Sequence, residues 1–183
     1  KSIQSSLFGD QGTKIRSSAV TPDDLVLTPL GLRFQNRLYP YCLGRSGFSA
    51  RKSEGDGATP RGVHAITGLL YRPDRMARPT DWARPIRPGD LWSDDPQHED
   101  YNLMVRAPYG HSHETLRRSD PMYDLIVLTG WNWPYPVKGR GSAIFIHQWR
   151  RPGAPTEGCI GLRRHDLHRI AGAIRHRSRL IIG

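Results

Sequence analysis

The chain has 183 residues, enough to bury a hydrophobic core as one domain without disulfide or metal staples. Lys and Arg outnumber Asp and Glu by 27 to 17, a formal net charge of +10. The basic clusters (Arg117-Arg118, Arg150-Arg151, Arg163-Arg164 and residues 175–179) are short, separated and not interleaved with aromatics as an RNA-binding module would be. No run of about 18 apolar residues is present, which excludes a membrane-spanning helix. The charge reads as basic residues scattered over a solvated surface, with no nucleic-acid partner expected.

In chain order, residues 1–21 are polar, Ser-rich and patternless, and are expected to form a flexible arm ahead of a single domain over residues 22–183. Residues 24–28 and 37–43 read as strands with Gly31 in the turn region, an opening hairpin. Residues 63–71 continue as a strand interrupted at Gly68. From 72 to 121 the periodicity dissolves into Pro, paired acids, Trp, Tyr and His. So long a patternless segment in a compact domain should be functional, and it reads as a loop-rich insertion capping an active site. Residues 123–129 form an apolar strand, 130–136 an aromatic loop, and 143–147 a second apolar strand. Residues 166–174 carry apolar side chains three and four apart, the mark of a short amphipathic helix, and 179–182 end the chain as a strand. Several strands against one helix make the domain mainly β.

The richest stretch is 141–162, GSAIFIHQWRRPGAPTEGCIGL. Its strand delivers His147 at its end, and Cys159 follows twelve positions later, behind Gly158 and before Ile160. A thiol nucleophile needs a base to take its proton, and an imidazole is the usual one. A Gly beside it lets the chain turn tightly enough to aim backbone N–H groups at a developing oxyanion. The intervening Arg-Pro-Gly-Ala-Pro is turn-rich and can fold the Cys back toward the His. The one other cysteine, Cys42, lies in the apolar stretch 38–43 and reads as a small buried hydrophobe; a disulfide would consume the nucleophile. His98, His111, His113 and Cys159 lack a third ligand at diagnostic spacing, so neither metal nor cofactor is expected.

This arrangement resembles the active-site segment of the YkuD-type L,D-transpeptidases, cysteine enzymes that cross-link bacterial peptidoglycan. The matching residues are His147, Thr156, Glu157, Gly158, Cys159 and Ile160. A second block, Ser-Glu-Gly-Asp-Gly-Ala-Thr-Pro-Arg-Gly at 53–62, resembles the family's G-(D/K)-x-x-T-P-x-G loop before a strand. Asp94-Asp95-Pro96, Tyr101-Asn102, Ser112-His113-Glu114 and Tyr123-Asp124 are similar to a proteobacterial subgroup with short His-to-Cys loops. The likeness runs from about Val26 to the C-terminus. Glu157 departs from it where many members have a second His, and Gly161 where many have Arg. Eight residues separate His147 from Thr156, fewer than in the commonest form.

The resemblance implies a β-sandwich with a helix beside the nucleophile loop. It makes Cys159 the nucleophile and His147 the base and acid. The backbone carbonyl of Gln148 would hold the second ring N–H, and the Gly158 and Cys159 amides would serve the oxyanion. Thr156, Glu157, Arg61, Arg72, Tyr101, Asn102, His113, Glu114 and Trp133 are candidate substrate-binding residues. For each, a packing or surface role competes: a Thr before a turn is also a local backbone cap, and Glu157 could be a solvated loop acid. The implied reaction is ping-pong acyl transfer between peptidoglycan stem peptides through a Cys159 thioester, in an exported, periplasmic enzyme open to carbapenem-type β-lactams. The family commonly cuts the donor after its third residue. A locally acidic pocket, with Glu157 present and no Arg at 161, points instead to cleavage after the first L-Ala and 1,3 links. A Cys-dependent hydrolase, and a non-enzymatic wall- or nucleic-acid-binding module, are the rival expectations.

Overall fold

The computed structural model describes residues 19–183. Of the arm expected over 1–21, residues 1–18 lie outside the described residues. Ala19 and Thr21 are tied to the body: the Ala19 carbonyl accepts from Arg179 Nη2 at 3.0 Å, and Thr21 N–H donates to Asp24 Oδ2 at 2.8 Å.

Strands β1 (Leu25–Thr28), β2 (Gly31–Phe34) and β3 (Arg37–Tyr39) form an antiparallel meander. This corrects the expected hairpin, because Gly31 opens a strand of its own instead of sitting in the turn. Between β2 and β3 lie Gln35 and Asn36, both left-handed at φ 47° and 61°, the backbone a two-residue hairpin turn demands. Pro40, which has no N–H to donate, separates β3 from β4 (Tyr41–Cys42).

Short β5 (Phe48–Ser49) and β6 (Thr59–Pro60) pair in parallel and lead into β7 (Gly62–Tyr71). Gly68 does not interrupt β7. The register against the partner strand shifts there, Leu128 opposing Gly68 while Thr129 opposes Ile66, which is a bulge. The segment expected to be loop-rich carries β8 (Arg84–Pro85) and then β9 (Asp90–Ser93), β10 (Met104–Arg106) and β11 (His113–Thr115). The last three form a small antiparallel sheet with β9 in the middle. After a 3-10 turn (Pro121–Tyr123) the chain runs through β12 (Leu125–Thr129), β13 (Phe145–Gln148), β14 (Ile160–Leu162), helix α1 (Arg164–Ala173) and β15 (Arg179–Ile182).

The main sheet orders its strands β3-β2-β1-β15-β7-β12-β13-β14-β4, with β8 beside β7. Only Pro40 separates β3 from β4, the two ends of that path, so the sheet curls until it nearly closes on itself. Central β12 is buried along its whole length, and its alternation serves two cores. Leu125 and Val127 face a core with Leu25, Leu32, Phe34, Leu69, Ile146, Ile160 and the apolar face of α1 (Leu167, Ile170, Ala171). Ile126 and Leu128 face a second core with Ile86, Trp92, Met104 and Leu116 from the inserted segment, together with Phe145 and Cys159. Residues 86–116 therefore supply side chains to the sheet face that carries the cysteine, while Met76, Trp82 and Ala83 join α1 on the opposite face. Burying Leu or Ile side chains of this kind contributes roughly 1.5–3 kcal/mol each.

The two ends of the insertion are clasped together. The buried Arg72 guanidinium donates to both oxygens of Asp74 at 2.9 and 2.7 Å and to the Arg118 carbonyl at 2.6 Å. Arg75 reaches the Ser119 carbonyl at 2.8 Å and Asp124 Oδ1 at 2.8 Å. Asp124 is buried and also accepts from Arg164 at the start of α1, at 2.9 Å.

Candidate active site

β13 and β14 run parallel with His147 opposite Gly161. Along β13, Ile146 points into the α1 core, so Phe145 and His147 on either side of it face the insertion. Cys159 immediately precedes β14 and belongs to the same face. Thiol and imidazole are thus brought to one side of the sheet by strand alternation alone.

The turn that carries the cysteine is stitched on both sides. Thr156 Oγ1 donates to the Cys159 carbonyl at 2.6 Å and accepts from Gly158 N–H at 3.1 Å. Its backbone pairs with the 43–45 segment, Thr156 N–H to the Leu43 carbonyl at 2.9 Å and Arg45 N–H to the Thr156 carbonyl at 2.8 Å. Fully buried Thr59 donates to the Gly158 carbonyl at 2.9 Å and accepts from Gly44 N–H at 2.9 Å. Gly158 sits at φ 136°, and a Cβ there would lie 2.7 Å from the Ala58 carbonyl oxygen, so no other residue fits. In this resting arrangement the Gly158 N–H already has Thr156 Oγ1 as acceptor. Acting as an oxyanion donor would require it to change partner.

Cys159 is 9 % exposed. It donates to the Ala143 carbonyl at 3.1 Å and accepts from Phe145 N–H at 3.3 Å. Burial pushes it up to about 12, the nearby Glu114 charge acts in the same direction, and the Phe145 amide and the Lys52 ammonium oppose them. His147 is 4 % exposed, and burial draws it down to about 4. Its Nδ1 meets the Gln148 carbonyl at 2.7 Å. That bond fixes the tautomer with the proton on Nδ1 and leaves Nε2 as the basic nitrogen. The resting site therefore holds a neutral thiol and a neutral imidazole.

Around this pair stands Tyr123, whose ring meets the His147 ring edge-on at 5.4 Å and the Phe145 ring at 6.2 Å. The Tyr123 hydroxyl donates to Glu114 Oε2, and the Arg118 guanidinium lies 5.4 Å over the Tyr123 ring. Buried Lys52 donates to the Ser53 carbonyl at 2.8 Å and pairs with Asp56.

Of the residues singled out from sequence, Cys159, His147, Gln148, Gly158, Thr156 and Glu114 are brought together. Thr156 does so as a cap of the nucleophile turn, with both hydrogen-bonding directions of its hydroxyl engaged. Asn102 acts on the site from behind. It is buried at φ 56°, accepts from Trp92 Nε1 at 3.0 Å and from Ala143 N–H at 2.9 Å, and donates to the Trp131 and Asn132 carbonyls at 3.1 and 2.7 Å. Tyr101 is fully buried, its hydroxyl donating to Glu54 and accepting from Gly141 N–H at 2.8 Å.

The remaining candidates point elsewhere. Arg61 lies 5.3 Å over the Phe48 ring and donates to the Gly183 carbonyl. Arg72 clasps the insertion. Glu157 is exposed and paired with Arg45, and His113 is exposed on β11 against the His111 carbonyl at 2.7 Å. Trp133 is half-buried in the loop after β12. Gly161 has a packing reason to lack a side chain. A Cβ there would come within 2.5 Å of Cys42 Sγ and 3.1 Å of Trp149 Cβ, so Cys42 fills the space an Arg would need. Cys42 and Cys159 are both free thiols.

Sequence reasoning missed Lys52, Thr59, Ala143 and the Tyr123 ring. Thr59 and Tyr123 stood inside recognised motifs without an assigned role. The left-handed backbone of Ala143, φ 53°, had no signal, because that conformation favours Gly or Asn.

Neither a curated protein nor a solved structure gives a significant match to this chain. Residues 32–182 match the YkuD family, described as the L,D-transpeptidase catalytic domain. Strand-borne His147, the Gly158–Cys159 turn and the mainly β fold agree with that match over most of the chain, and the chain belongs to the YkuD family of L,D-transpeptidases.

Proposed function

We propose that this chain cross-links peptidoglycan stem peptides through a thioester on Cys159. The observation that carries the reading is the placement on one sheet face of a buried thiol and an imidazole whose Nδ1 is held by the Gln148 carbonyl at 2.7 Å. In the first half-reaction His147 Nε2 takes the Cys159 proton as sulfur attacks the donor carbonyl. It then returns that proton to the departing amine as the C–N bond breaks. The Cys159 amide, with Gly158 once it releases Thr156, faces the developing oxyanion. An acceptor amine then attacks the thioester, forming the new amide and restoring the thiol. The enzyme is exported and works in the periplasm, with donor and acceptor stems as its partners.

For the bond cut, we infer cleavage after the first L-Ala and transfer to a diaminopimelate amine. The acidic character behind that inference rests on Glu114, because Glu157 is neutralised by Arg45. A carbapenem adduct mapped by mass spectrometry tests the nucleophile. It is expected on Cys159, and modification confined to Cys42 contradicts the reading.

A further inference from the structure

The acyl-transfer scheme uses the thiol and the imidazole and leaves the Glu114 carboxyl without a task. Glu114 stands on β11, half-buried between the exposed His113 and Thr115. Among the described residues, the donor it meets is the Tyr123 hydroxyl, on Oε2. The Tyr123 ring in turn stands against His147 at 5.4 Å. Through Tyr123 the carboxyl is thus linked to the His147 side of the site, and its charge opposes ionisation of Cys159. A carboxylate has about four lone-pair sites, so one Tyr hydroxyl leaves Oε1 open to an incoming donor.

We propose that Glu114 is the acceptor-amine subsite, binding the ammonium of the second stem and taking its first proton. This rests on the transpeptidase reading above. The need follows from counting protons. An alkyl amine reaches the thioester as R–NH3+, which has no lone pair to attack with. His147 is occupied by the second proton, the one lost from nitrogen as the C–N bond forms and passed to sulfur as the C–S bond breaks. The first proton must go to another base. With Glu114 the balance closes: thioester, R–NH3+ and carboxylate become amide, thiol and carboxylic acid, and the acid then returns its proton to water.

A half-buried carboxyl whose charge raises the very thiol that must ionise would otherwise be a liability. Its own surroundings suit a base. Burial pushes the Glu114 carboxyl up, with the Asp94 and Glu54 charges adding to the effect, while the Tyr123 hydrogen bond and the Arg118 charge hold it back. Binding an ammonium there would also offset the charge that opposes Cys159. Water carries no such charge, so the subsite favours aminolysis of the thioester over hydrolysis.

The test forms the acyl-enzyme with a stem-peptide donor and measures how it divides between aminolysis, by a diaminopimelate-containing stem, and hydrolysis. Glu114→Gln should lower the aminolysis-to-hydrolysis ratio by about tenfold or more, and Glu114→Asp should recover part of it. An unchanged ratio in Glu114→Gln overturns the inference. Should that variant not fold, the wild type alone decides. Its aminolysis should reach a plateau well below the amine's own pKa of about 10, whereas a rate following the free-amine fraction up to that pH overturns it. Absence of any thioester on Cys159 overturns the transpeptidase reading and this inference with it. A thioester that forms but partitions without regard to Glu114 overturns the inference alone.

Discussion

The Cys159 thiol donates to the Ala143 carbonyl at 3.1 Å, and Ala143 can present that carbonyl because its backbone is left-handed at φ 53°. In the free protein Cys159 is therefore a held, neutral thiol. Alkylation of Cys159 by iodoacetamide should keep rising with pH from about 7 to beyond 10, since only the thiolate reacts. A plateau near pH 7 would mean a preformed thiolate–imidazolium pair and would contradict the neutral-pair description.

His147→Asn should lower turnover by about a hundred- to ten-thousand-fold. It should also change the acid stability of the fold. His147 titrates at about 4 in the folded protein against 6.5 for the free side chain, so between those values the unfolded chain binds the extra proton. Its contribution is complete above 6.5 and is lost as pH falls through about 4. Urea titrations at neutral pH and at pH 4 should show the wild type losing on the order of 3 kcal/mol more than the variant. Equal acid losses would show that the imidazole is not buried in its neutral form.

Two glycines should refuse substitution for different reasons. Gly158→Ala brings a Cβ within 2.7 Å of the Ala58 carbonyl at a φ of 136°, and should cost about 1–3 kcal/mol with loss of acylation. Gly161→Arg, which restores the commoner family residue, meets Cys42 Sγ. It should lower thermal stability unless combined with Cys42→Gly. Full stability in the single Arg variant would mean that Cys42 does not set the identity of position 161.

The insertion is expected to cap the cleft and to hold the nucleophile through Asn102. Asn102→Ala strands the Ala143 and Trp92 donors, at about 1–3 kcal/mol for each buried group left unpaired. Hydrogen exchange should accelerate at 130–145 as well as within 90–106, and an inhibitor on Cys159 should slow exchange in the insertion. Fast exchange throughout 72–121, unchanged by the inhibitor, would contradict the capping role.

The turn before Cys159 was legible because its signals are local: a strand-end His, a turn-rich connector, and a Gly where only Gly fits. Strands 62–71 and 125–129 and the helix were legible from periodicity. What escaped was decided at long range. Glu157 read equally as a pocket acid or a solvated loop acid, and its exposed pairing with Arg45, far away in sequence, favours the second. The order of the insertion was hidden because its strands are two to four residues long and Pro-broken, too short for an alternating pattern. Gly161 read as a missing cation, yet the reason lies across the sheet in Cys42, a residue read only as core. Arg72 and Asn102 looked like substrate contacts because buried polar side chains that tie segments together have the same composition as a binding site.

Incubation of the purified protein with isolated sacculi, followed by mass spectrometry of the released muropeptides, tests the central claim most directly. The account predicts new stem-to-stem cross-links that depend on both Cys159 and His147, with links from L-Ala to diaminopimelate among them. Cross-links joining only two diaminopimelates would correct the bond assignment alone. Shortened stems without any new cross-link, or cross-links undiminished in Cys159→Ala, would contradict the claim that this chain is a transpeptidase acting through Cys159.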